Sequence, residues 1–160
     1  MNRKLIIVVV LVALALIVYA VSQRSNATTS ARTYNLSEFG IAIDVPGTLS
    51  DLTHEVKQIN PTPGTILEMR VDETCTIGAF YTVQKNALDA SGNQWTEELL
   101  ESAQFPSGGN PGRVKEFTDF YFVFEPSQAA CSTNEADAER EAAKRLALWN
   151  SLVTARYMSY

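Results

Sequence analysis

The chain has 160 residues, 46% apolar and 19% charged, with a formal net charge of −5, two cysteines and one histidine. An acidic chain without a basic stripe excludes a nucleic-acid backbone and anionic lipid headgroups as its partners. A single histidine excludes a histidine-rich metal centre, and no H-E-x-x-H, C-x-x-C, G-x-S-x-G or Walker pattern occurs, so the sequence points to no cofactor and no metal.

Residues 1–4 form a short tail carrying Arg3 and Lys4, and Leu5 to Val21 is an unbroken apolar run of 17 residues. As a helix the run reaches about 25 Å, the short end of what spans a bilayer. A secretory h-region is usually about 7–15 residues long, so length favours a retained transmembrane anchor at 5–21. Val18-Tyr19-Ala20 and Ser25-Asn26-Ala27 fit a small-x-Ala cleavage pattern, which keeps a cleaved signal and a secreted domain as the alternative. The basic tail is expected to stay in the cytoplasm, and the C-terminal domain then lies outside it in either case. The run holds no acid and gives way at once to polar residues, unlike an assembly helix of the pilin type.

Residues 22–32, "SQRSNATTSAR", are small and polar and read as a flexible tether, with an r.m.s. span of about 18 Å. Asn26-Ala27-Thr28 and Asn35-Leu36-Ser37 match the N-glycosylation acceptor pattern, which is short and arises often by chance. Setting aside Arg3, Lys4 and Arg24, the chain keeps 10 basic against 18 acidic residues, a net −8. Residues 33–160 suffice for one extracytoplasmic α+β domain with its own core.

Within that domain, "FGIAIDVP" alternates Ile41, Ile43 and Val45 and predicts a half-buried strand. "LTHEVKQI" predicts a polar strand, and "NPTPG" a turn. "TILEMRV" sets Leu67, Met69 and Val71 on one face against Ile66, Glu68 and Arg70. "TCTIGAFYTVQ" places Cys75, Ile77, Ala79, Tyr81 and Val83 together. "EFTDFYFVFE" is apolar on both faces, with Phe120, Phe122 and Phe124 opposed to Tyr121 and Val123, the mark of a central strand covered on both sides.

Two helices are expected to provide the cover. In "SGNQWTEELLESA", Ser91 and Gln94 have capping-box spacing, and Trp95, Leu99 and Ala103 form a stripe. The spacing predicts a second helix over 133–156, opened by Ser132-x-x-Glu135 and docked on the sheet through Leu146, Trp149 and Val153. Ala142 and Tyr157 extend that stripe.

The segment "EFGIAIDVPGTLSDL" resembles the opening of PsbP-like and Mog1-like domains: an aromatic residue, an alternating apolar strand and a proline. The order that follows is also similar, with several strands, a middle helix, a long aromatic strand and a long C-terminal helix. The resemblance covers residues 34–157 and implies an α/β/α sandwich with a mostly antiparallel sheet. It also implies a protein-binding rather than a catalytic role, although fold alone does not carry function.

Chemistry-bearing residues are few. His54 is expected to face solvent from its strand, and a Cys131/His54 nucleophile pair would require the two to meet. Asp89, Ser91 and Asn93 match the first positions of a calcium loop, but Gln94 and Leu100 stand where glycine and glutamate belong. "QFPSGGNPGR" reads as a long loop framed by Phe105 and Arg113, residue types enriched at protein interfaces, and these two are the candidate partner-contact residues. Cys75 and Cys131 are expected to form a disulfide, because both lie in the exported part. The leading expectation is a membrane-tethered, non-catalytic interaction domain with a protein partner. The alternative is an enzyme built on carboxylates such as Asp44, Asp72, Glu73 or Asp119.

Overall fold

The computed structural model describes residues 30–59, 64–72, 74–89, 91–102 and 113–159. The transmembrane segment expected at 5–21 lies outside them, and among the described residues no helix is long and apolar enough to cross a membrane. Ala31–Tyr160 forms a compact unit of mixed α+β structure with two antiparallel sheets.

The smaller sheet is built from β1 (Arg32–Leu36), β2 (Ile41–Val45) and β8 (Arg156–Tyr157), in the order β1-β2-β8. β1 takes in Arg32, the last residue of the expected tether. Gly40 joins β1 to β2 at φ 65°, a left-handed conformation in which its N–H donates to Ser37 O at 3.1 Å. Arg156 fastens β8 to β2 with two hydrogen bonds to the Asp44 carboxylate, at 2.8 and 2.9 Å. That guanidinium, with the Thr33 hydroxyl, holds the Asp44 carboxyl below its ordinary range.

The larger sheet has the order β3-β4-β5-β7-β6, from β3 (Thr53–Ile59), β4 (Gly64–Val71), β5 (Cys75–Gln84), β6 (Arg113–Glu116) and β7 (Phe120–Pro126). One face turns Leu67, Met69, Phe80, Phe122 and Phe124 toward β1, β2 and the long helix, where Leu36, Ile41 and Ile43 complete the main core. Phe80 and Phe122 stack at 4.8 Å. The opposite face holds a second core of Ile66, Tyr81, Val83, Val114 and Val123 under Leu100 of α1 (Glu97–Ser102). β7 is interior and apolar on both faces, as its sequence predicts.

β5 departs from simple alternation. Met69 pairs with Gly78, whereas Arg70 pairs with Thr76, so one extra residue of β5 bulges from the ladder. The bulge switches the faces in mid-strand: Cys75, Ile77 and Phe80 enter the main core, while Ala79, Tyr81 and Val83 pack on the other side. The single face expected for Cys75 through Val83 is therefore two.

The helices also depart from their predicted stripes. α1 begins at Glu97, with the Thr96 hydroxyl accepting from the Leu99 N–H at 3.2 Å; Leu99 is exposed and Leu100 is buried. The capping box at Ser91 and Gln94 does not form. Ser91 N–H donates to Asp89 Oδ1 and the Gln94 amide to Lys85 O, because the chain is still in a turn there. The long helix, α2, spans Glu135–Ser151, and its N-cap is Asn134, whose side chain accepts from Asp137 N–H. Its buried face runs through Glu141, Leu148 and Ser151 and on to Leu152, not through Leu146 and Val153. The face is hidden from a hydrophobicity count because two of its residues are polar. Their partners make burial tolerable: Glu141 Oε2 accepts from Cys131 N–H at 2.7 Å, and Ser151 Oγ donates to Ala147 O at 2.9 Å. The helix ends at Ser151, so Tyr157 belongs to β8 and packs edge-on against Phe117 at 4.9 Å.

Candidate functional site

The predicted stripe divides: Trp149 packs against the main core as expected, whereas Leu146, and Val153 in the 3-10 turn Leu152–Thr154 after the helix, face outward. Leu146 is 60% exposed and Val153 54% exposed, with Trp149 half-buried and tilted edge-on toward Phe124. Two cations of β6 reach the same end of the helix. Arg113 Nη1 donates to Trp149 O at 3.1 Å and to Asn150 Oδ1 at 3.2 Å, and Lys115 Nζ donates to Val153 O at 3.4 Å. Both positive charges sit where the helix C-terminus presents its partial negative charge. The surface that results is apolar, bordered by two cations, on a domain whose balance is acidic. Arg113 thus has a structural partner in addition to its expected contact role. Phe105 lies outside the described residues.

Cys75 and Cys131 are joined in a disulfide with Cα atoms 5.6 Å apart. A polar cavity of about 540 Å³ opens beside it, lined by both cysteines, Asp137, Arg140, Glu141 and Lys144 among others. Lys144 Nζ donates to Asp51 Oδ2 at 2.6 Å and to Asp72 Oδ2 at 3.4 Å. Asp72 has a positive φ of 52°, and its N–H donates to Asp51 Oδ2. Burial works to raise the Asp51 pKa, but the Lys144 ammonium and the backbone donor outweigh it, and the carboxyl stays below its ordinary range.

His54 is engaged rather than solvent-facing. Its Nδ1 is 2.8 Å from the Tyr34 hydroxyl and its Nε2 3.3 Å from Glu38 Oε1, which ties the edge strand β3 to the smaller sheet. Partial burial raises the Tyr34 hydroxyl pKa. With His54 so held and Cys131 bonded to Cys75, the Cys131/His54 nucleophile pair does not exist.

Among the described residues the candidate carboxylates do not converge on one cleft: Asp44 pairs with Arg156, Asp72 with Lys144, and Asp119 lies exposed in the turn before β7. Glu73 is outside the described residues. Asp89 is the acceptor of an Asx turn, taking the N–H groups of Ser91 and Asn93, both at 2.8 Å. A groove of about 400 Å³ on the second face of the larger sheet is lined by Ile59, Ile66, Glu68, Ala79, Tyr81 and Glu125, among others. Burial, with the Glu125 carboxylate nearby, pushes the Tyr81 hydroxyl far above its ordinary pKa.

Glu141 is the site residue that sequence reasoning missed. An acid on an amphipathic helix is ordinarily assigned to the solvent face, and nothing in its neighbours marks it otherwise. No protein-family model matches the chain, and neither a curated protein nor a solved structure is significantly similar to it.

Proposed function

We propose that this chain is a membrane-tethered accessory domain that binds another protein outside the cytoplasm, without catalysis of its own. Residues 5–21 would be the single-pass anchor, 22–32 the tether, and the domain a PsbP-like/Mog1-like α/β/α sandwich with α2 and α1 on opposite faces of the larger sheet. The apolar run supports the anchor, and a disulfide accords with an oxidising compartment.

The observation that carries the binding role is a pair of exposed apolar side chains at the C-terminal end of α2. Leu146 on the helix and Val153 in the 3-10 turn Leu152–Thr154 that follows it are left exposed, while the other face of α2 fills the core. Contiguous exposed apolar surface rimmed by polar groups marks interaction sites. The cations Arg113 and Lys115 select a partner surface that combines apolar side chains with carboxylates.

The test is site-specific photo-crosslinking of the full chain in its native membranes. A probe at Leu146 should capture one discrete protein, and Arg113→Glu should abolish the adduct. The same probe at Gln58, on the edge strand β3, should capture nothing. Equal labelling from both positions, or an adduct indifferent to Arg113→Glu, would refute the reading.

A further inference from the structure

The two sulfurs of the disulfide have unequal environments. Cys75 opens β5 inside the main core and is 5% exposed, whereas Cys131 is exposed in the segment before α2. Both line the 540 Å³ cavity. Behind them stands Glu141, 9% exposed, with a carboxylate oxygen and the two Sγ atoms all within 4.8 Å of one another. Glu141 Oε2 is held by the Cys131 N–H at 2.7 Å, so the acid is fixed against the bond rather than swinging free. A buried acid beside a disulfide with one exposed cysteine is more than a cross-link requires.

We propose that Cys75–Cys131 is an exchange site for an external dithiol protein, with Cys131 as the attacked sulfur and Glu141 as the proton carrier for Cys75. Thiol–disulfide exchange requires the incoming thiolate to reach the sulfur in line with the bond that breaks. Cys131, the exposed residue of the pair, offers that approach more openly than Cys75.

In the opening direction, a thiolate of the dithiol bonds to Cys131 Sγ. The Sγ–Sγ bond breaks, and its electron pair goes to Cys75, which takes a proton through Glu141. The second thiolate of the partner then attacks its own sulfur in the mixed disulfide and releases Cys131. The partner is oxidised by two electrons, the Cys75–Cys131 pair is reduced by two, and the two thiol protons pass to the two cysteines. In the closing direction, Glu141 accepts the Cys75 proton as Cys75 attacks Cys131.

Access decides the attacked sulfur: Cys131 is exposed and Cys75 is 5% exposed, so the incoming thiolate meets Cys131.

The experiment uses the oxidised full chain in detergent, reduced glutathione as the probe, acid quenching and peptide mapping. The mixed disulfide is expected on Cys131, with a rate that rises linearly with glutathione. An adduct on Cys75, or a rate that saturates because the fold must first open, would overturn the proposal. Glu141→Gln keeps an acceptor for the Cys131 N–H and should slow exchange by about a hundredfold, the low end of what a positioned proton carrier supplies. Wild-type kinetics in a folded Glu141→Gln protein would remove the carboxylate from the mechanism. Mapping on the wild-type chain stays decisive for the attacked sulfur even if the variant fails to fold.

Discussion

Gly78 lies against the ring of Phe124: a Cβ at residue 78 would stand 2.5 Å from Phe124 Cζ and 2.7 Å from the carbonyl oxygen of Glu125. Gly78 belongs to the bulged part of β5, and Phe124 is fully buried in the main core. The missing side chain lets the ring close over the place where β5 changes faces. Gly78→Ala is expected to force both the ring and the β7 backbone to move, at a cost of about 1–3 kcal/mol. Urea unfolding measures the loss. A change below about 0.5 kcal/mol would show that the ring has room to yield.

Leu148 and Leu146 offer a paired comparison on α2. Leu148 is fully buried and Leu146 is 60% exposed. Leu148→Ala should destabilise the domain by about 2–5 kcal/mol, and Leu146→Ala by less than about 0.5 kcal/mol. Thermal or urea unfolding of the two variants would reveal a reversed order if the helix docked through its other face.

The Cys75–Cys131 bond closes a separation of 56 residues. The chain-entropy account assigns such a loop about 4 kcal/mol. Replacing both cysteines by serine should lower stability by nearly that amount, and reduction of the wild type should match it. A loss below about 1 kcal/mol would mean that the segment before α2 is held by Glu141 and its neighbours without the bond.

The Asp51–Lys144 pair should shape the pH dependence of stability. The folded pKa of Asp51 lies below its unfolded value of about 3.9. Its contribution is therefore complete above that value and is lost as pH falls through the folded pKa. Lys144 is raised despite the opposing effect of burial, because Asp51 accepts from it. Its share is complete below the unfolded value of about 10.4 and is lost as pH rises through the folded one. Asp51→Asn should flatten the acid limb of a Tm–pH curve and leave the basic limb less steep. An unchanged acid limb would mean that other carboxylates dominate it.

Periods and chain-level constraints were legible without the structure. β4 and β7 alternate as their residues dictate, because a one-residue slip would turn a buried face outward. The cysteine pairing was readable because the chain holds two cysteines, which have each other as partners. Three features were decided only by tertiary structure. The bulge in β5 lies beside Gly78, whose open side takes the Phe124 ring, a contact with another strand. The N-cap of α2 passed from Ser132 to Asn134 because Ser132 Oγ accepts from the Asn134 N–H instead. The buried face of α2 includes Glu141 and Ser151, whose polarity argues for solvent until the acceptors and donors that satisfy them are in place. A sequence states how much each side chain costs to bury, whereas the partner that offsets that cost comes from elsewhere in the chain. The exposure of Leu146 follows from the same fact: a helix docks on the face with the best-satisfied neighbours, and what remains, apolar or not, is left to the outside.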